Sequence, residues 1–194
     1  MKCFVVLLVC ISIGWLTLYK DILLLDNIAR LGEATQSSTY RPEYKAAAAI
    51  DGNTDSNMMS GSCSLTGNDN PAWWQLDLKK RYKVDTVVIV NRGDCCSERL
   101  LGAKVRVGDL ADNNNPLPIK PSVILFSLGT VTDVSEETIV VSCHGREGRY
   151  VSVVIPGREE TLQLCEVEVY GQEYKPVVPN HEESDDEFVD NLFN

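Results

Sequence analysis

Two arginines, an aspartate and two adjacent cysteines share the short stretch Asn91-Arg92-Gly93-Asp94-Cys95-Cys96-Ser97-Glu98-Arg99. A guanidinium is a planar fork of donors that stays charged at any physiological pH, so Arg92 and Arg99 suit fixed hydroxyl or carboxylate acceptors. Asp94 is placed to hold one or both arginines by charge-assisted hydrogen bonds while their remaining donors face a ligand. If Cys95 and Cys96 are joined, they close a small ring and present a rigid, sulfur-rich apolar ledge beside those donors. A sugar has the same two-sided chemistry, with hydroxyls on one edge and a C–H face on the other. The stretch therefore reads as a recognition loop. It also spells Arg92-Gly93-Asp94, the tripeptide that integrins bind, but an aspartate next to a stiff cysteine pair is better suited to holding an arginine than to pointing away on a mobile tip.

Catalysis has little support in the same residues. A nucleophile needs an adjacent base, and the two histidines are His144, in a Gly-rich turn, and His181, near the C-terminus. Glu166 and Glu168 imitate a glycosidase pair only in spacing. The chain is expected to bind rather than to react, with no organic cofactor.

The elements that must hold this loop are strands. Short alternating apolar runs at Trp73–Leu78, Val84–Val90, Ala103–Val107, Thr138–Ser142, Arg149–Ile155 and Leu164–Tyr170 are separated by Gly, Asn, Asp and Pro clusters. In the last run Val167 and Val169 share one face, Glu166 and Glu168 the other. Alternation puts one of Trp73 and Trp74 in the core, and a short turn is expected at Ala46–Ile50. The fold class is all-β, an antiparallel sandwich or jelly roll whose loops gather at its ends. Residues 51–72 and 108–121 are too long and too polar for hairpin turns and are candidate ligand-bearing loops.

The chain has 194 residues, room for one domain of ordinary size. Its apolar start from Cys3 to Tyr19, behind Met1-Lys2, reads as a secretory signal over residues 1–22, with an uncleaved anchor as the alternative. The binding domain spans 26–171, and 172–194 is an acidic tail with little to bury. The formal net charge of −10, six of it from acidic residues between 182 and 190, argues against a nucleic-acid partner. Five cysteines remain outside the leader: Cys63, Cys95, Cys96, Cys143 and Cys165. Five is odd, so export to an oxidising compartment predicts two bridges and one thiol, either buried or open to a second chain. No CxxC pair suggests structural zinc.

Taken in order, Ala34-Thr35-Gln36-Ser37-Ser38, Ala49-Ile50-Asp51-Gly52-Asn53, Trp73-Trp74-Gln75-Leu76-Asp77-Leu78, the loop Asn91 to Arg99, and Leu164-Cys165-Glu166-Val167-Glu168-Val169 resemble the fucolectins, or F-type lectins, within the discoidin-like group. The resemblance implies a β-jelly roll that binds L-fucose through a histidine, 26 residues, Arg-x-Asp, four residues and an arginine or lysine. By that pattern Arg92 and Arg99 donate to the sugar, Asp94 orients them, and a Cys95–Cys96 disulfide packs on the ring. The histidine is missing: counting back from Arg92 lands on Leu65.

The resemblance also implies a structural calcium ion held by Asp51, Asn53, Ser62 and Glu166 with carbonyls of Ala48 and Cys165, a donor set of the kind a hard cation takes. A Cys63–Cys165 bridge would clamp the same segments, and Cys143 is left as the unpaired thiol. The expected partners are fucosylated or related glycans. The expected role is innate recognition outside the cell; a homo-oligomer is left open, and it matters because weak single sites act through multivalency.

Overall fold

The computed structural model describes residues 26–110 and 126–176; the expected leader, the acidic stretch 182–190 and most of loop 108–121 lie outside them. The described residues form eight antiparallel strands: β1 (Glu33–Gln36), β2 (Ser64–Leu65), β3 (Ala72–Val90), β4 (Lys104–Gly108), β5 (Phe126–Thr130), β6 (Thr138–Ile155), β7 (Gln163–Leu164) and β8 (Glu166–Glu173). The expected all-β architecture is present. Its spine is the pair β3–β6, which runs from Ala72↔Ile155 to Val90↔Thr138. The first half of β3 pairs with β1, its second half with β8, and β4 and β5 extend the sheet beyond β6. A small ladder, β2–β7, closes the end where the long loops gather.

The runs at Trp73–Leu78 and Val84–Val90 are one strand, as are Thr138–Ser142 and Arg149–Ile155. Two irregularities hide this continuity. Lys79 sits at φ 67°, and the pairing of β3 shifts between Asp77 and Tyr82 and again between Val84 and Thr86. Trp74, Leu76, Leu78, Tyr82 and Val84 point inward at even positions, whereas Val87 and Ile89 point inward at odd ones. A bulge at Asp85 reverses the parity, and without it both residues would face outward. Opposite, β6 absorbs the bend at His144 (φ 51°) and Gly145 (φ 68°).

The core joins these side chains to Val105, Val107, Val151, Val153, Ile155, Val167 and Val169. Trp74 is the buried member of the tryptophan pair, and its indole N–H donates to the Ala46 carbonyl at 3.0 Å, on the 3-10 turn Ala46–Ile50. Cys143 is buried and unbonded, and burial pushes its thiol pKa up to about 11, so it is no candidate for a bridge to a second chain. β8 continues to Glu173, and Tyr174 lies under Arg81 at 4.8 Å.

Where β3 meets β6, Arg149 grips Asp77 with two bonds of 2.7 and 2.8 Å. The guanidinium holds the Asp77 pKa down to about 2, aided by the Lys79 backbone N–H. Stability from this pair is complete above the ordinary aspartate pKa of about 3.9 and is lost as pH falls through about 2. Asp77→Asn is expected to flatten the fall in melting temperature between about pH 4 and pH 2, measured by circular dichroism.

Candidate functional site

The recognition loop leaves the end of β3 and returns through the 3-10 turn Ser97–Leu100 to β4. Its root is Asn91, which is fully buried: its backbone N–H donates to Glu137 O, its side chain donates to Ser97 O at 3.0 Å, and its Oδ1 accepts from the Arg92 N–H at 2.9 Å. Gly93 is pressed against a neighbouring loop. Its N–H donates to Ser56 O, and a Cβ there would collide with the side chains of Glu137 and Ser56.

Arg92 and Asp94 pair with each other in a fork, Nε to Oδ1 at 2.9 Å and Nη2 to Oδ2 at 2.7 Å. Oδ1 also accepts the Met58 N–H, and the Arg92 guanidinium holds the Asp94 pKa down to about 2. Those bonds use Nε and Nη2 and leave Nη1 outside the pair. The tripeptide is therefore folded onto itself, opposite to the splayed geometry that integrin recognition requires.

Asp94 does not serve both arginines. The partner of Arg99 is Glu160, at 3.8 Å, a residue shared with Arg158 at 3.6 Å. Arg158 in turn donates to the carbonyls of Arg99 and Leu101 at 2.8 and 2.7 Å. Between the two arginines Cys95 and Cys96 are joined by a disulfide, with Cys96 left-handed at φ 61°. Glu160, Arg158 and Gln163, whose amide donates to Cys96 O, are additions that the sequence alone did not expose. They lie some sixty residues beyond the loop, and the charged turn Arg158-Glu159-Glu160 was the one visible sign of them.

Leu65 is buried. It packs with Met58, Cys63, Val90 and Cys165, and with the half-buried Tyr44, in a small cluster beneath the site. Its neighbour Met59 points to solvent.

Within that same cluster Cys63 and Cys165 are bonded to each other, 102 residues apart in sequence, and both are fully buried. The loop before Cys63 is held by a run of side-chain turns: Asp51, Asn53, Asp55 and Asn57 each accept, through Oδ1, the N–H two residues on. These are the turns that short polar side chains make with their own backbone, and they order the loop without strand pairing. Ser62 Oγ donates to Asp55 O, so that hydroxyl is tied to the same loop.

Glu166 departs from the alternation of its strand. Grouped with Glu168 by period, it is nonetheless fully buried, and burial pushes its pKa up to about 7. Both of its oxygens accept one donor, the Gly52 N–H, at 3.2 and 3.3 Å; Asp51 and Glu168 oppose its charge, and Arg30 offsets it. Arg30 lies against Gly52, whose φ of 87° would strain any other residue. Two carboxylates beside neutral amide, hydroxyl and carbonyl oxygens suit a hard divalent ion, and a buried, underserved carboxylate is the feature that such an ion would satisfy. Among the described residues no group of three or more His, Cys, Asp or Glu is placed to hold a metal ion, so a hard cation here would depend on the hydroxyl, amide and carbonyl oxygens as well.

Residues 48–153 match the family model of NedA-like, galactose-binding domains. Fucolectin-4 of Anguilla japonica is 46% identical over 149 residues, which cover 74% of this chain and 79% of that one. The pentraxin fusion protein of Xenopus laevis is 42% identical over 144 residues, and there the match spans 33% of the relative. Among solved structures, the fucolectin from striped bass (Morone saxatilis) serum superposes with a TM-score of 0.64 at 39% identity, covering 77% of this chain and 48% of that one. A His 62 mutant of the lectin binding domain of lectinolysin, complexed with Lewis b, gives 0.61 at 32% identity, over 75% and 95% of the two chains. With the strand order, the paired cysteines and the arginine loop in place, these likenesses agree: the chain belongs to the fucolectin family.

Proposed function

We propose that the protein is a lectin that binds a terminal L-fucose, or a closely related sugar, on glycans. The observation that carries this is the pair of guanidinium groups, Arg92 against Asp94 and Arg99 against the Glu160 it shares with Arg158, separated by the Cys95–Cys96 ledge. Nη1 of Arg92 and the loosely paired fork of Arg99 donate to ring and hydroxyl oxygens, while the disulfide packs on the C–H face. Binding is reversible and moves no protons. Asp51, Asn53, Ser62 and Glu166, with the carbonyls of Ala48 and Cys165, would hold calcium, whose charge would offset the buried Glu166 and fix the loops that Met58 and Ser56 tie to the sugar site. The protein acts outside the cell in recognition of foreign glycans, in assemblies that multiply weak single sites.

Leu65 sets the strength. Losing an imidazole from a three-point polar site removes about 1–3 kcal/mol, or roughly one to two orders of magnitude in affinity. Leu65→His is expected to tighten L-fucose binding at least tenfold, read by titration calorimetry. The burial of Leu65 in an apolar cluster favours one second reading, a fold kept for protein contacts with no sugar function.

Calorimetric titration with L-fucose, in calcium and then in chelator, tests the proposal. Millimolar or tighter binding that chelator removes supports both sugar and metal. Absence of heat across a panel of monosaccharides, with calcium still raising the melting temperature, leaves the second reading.

A further inference from the structure

We infer that Gln163 is the positioning residue of the recognition loop, fixing the disulfide ledge and Arg99 together through the carbonyl of Cys96; the inference rests on the sugar-binding reading. Gln163 lies on β7, directly across the ladder from Leu65, and antiparallel partners project their side chains to the same face. It is almost fully buried. Its Nε2 donates to Cys96 O at 2.7 Å, and its Oε1 has no partner among the described residues.

That asymmetry is informative. A buried amide with one end unserved is costly, and a Leu or Met would fill the same space without the cost. What the amide provides is one bond, and that bond ends on the pivot of the loop. Cys96 is the left-handed second half of the disulfide and the residue that begins the turn Ser97–Leu100. Its carbonyl accepts twice, from the Arg99 N–H at 3.2 Å and from Gln163 at 2.7 Å. The bond that closes the turn carrying Arg99 is the longer of the two, and the side chain supplies the shorter. Turned the other way, the amide would set Oε1 against Cys96 O, so the acceptor fixes its orientation.

Asn91 holds Ser97 O, and Arg158 holds the carbonyls of Arg99 and Leu101. Cys96 is the one point of the loop where a buried side chain reaches both the ledge and the start of the arginine turn. Gln163 therefore sets the spacing between the apolar and the charged halves of the site, and a small error in that spacing weakens both contacts at once.

The test compares the purified protein with Gln163→Met and Gln163→Glu, which keep the length and remove or reverse the donor. Three readouts are taken: L-fucose affinity by calorimetry, the Cys96 carbonyl carbon resonance by NMR, and the melting temperature. Gln163→Met is expected to bind about tenfold more weakly, to shift the Cys96 carbonyl resonance upfield, and to melt no lower than wild type because an unserved acceptor has gone. Gln163→Glu, which sets a carboxylate against the carbonyl, is expected to bind more weakly still. Unchanged affinity, or lost affinity with the Cys96 resonance unmoved, overturns the inference. So does unfolding of both variants, which would show that Gln163 serves the fold. Should wild type bind no sugar, the sugar reading fails by itself, and the Cys96 resonance together with hydrogen exchange at Ser97 to Arg99 still decides whether Gln163 pins the loop.

Discussion

Arg92→Ala is expected to raise the dissociation constant for L-fucose about a hundredfold, and Arg92→Lys to recover little of the loss. The guanidinium makes two kinds of bond at once, a fork to Asp94 and a donor turned outward. A lysine keeps the charge but cannot hold that fork, so its ammonium is left without a fixed direction. A charge-assisted bond to a ligand is worth roughly 1.5–3 kcal/mol, which sets the scale of the effect. Asp94 keeps the Met58 N–H as a partner, so the variant should fold and melt near wild type. Calorimetry with the melting curve as control makes the comparison, and affinity within threefold of wild type would place the sugar elsewhere.

The second large effect is expected from the Cys63–Cys165 bridge, beside the residues proposed to hold calcium. Removing it in the double variant Cys63→Ala, Cys165→Ala frees a loop of 102 residues, worth about 4.7 kcal/mol in the chain-entropy account. For a domain of this size that is a fall of roughly 9–19 °C in melting temperature. Cys165 immediately precedes Glu166 and its N–H donates to Val90 O at the root of the recognition loop, so the same variant should also weaken any stabilisation by calcium. A fall below about 3 °C would show that Met58, Leu65 and Val90 hold this corner without the bond.

What the sequence disclosed depended on distance along the chain. The strands were legible wherever alternation was unbroken, and Trp74 and Val167 fell on the faces that period predicts. The continuity of β3 was not, because the polar run from Lys79 to Lys83 and the bulge at Asp85 break the pattern at the point where the strand bends. Glu166 shows a different limit. Period places it with Glu168 toward water, but burial depends on what covers a strand, and the turn at Asp51-Gly52 covers this one. The arginines and cysteines of the site announced themselves by being neighbours. Glu160 and Gln163 could not, because they meet the loop only through the β2–β7 ladder and the turn leading into it, and no local spacing encodes that meeting.

On β8, Asn27 bridges to Tyr170, and its side chain also accepts the Val169 N–H at 3.1 Å. Tyr170 lies four residues, roughly 13 Å, along β8 from Glu166. The first described residues thus run beside the C-terminal half of β8, several residues along the sheet from the loop that carries the arginines. Such a domain is a cassette. It can be threaded into a longer polypeptide, repeated in tandem or set at either end of an unrelated module, and in each arrangement the neighbours hang from the stem while the arginine face stays open.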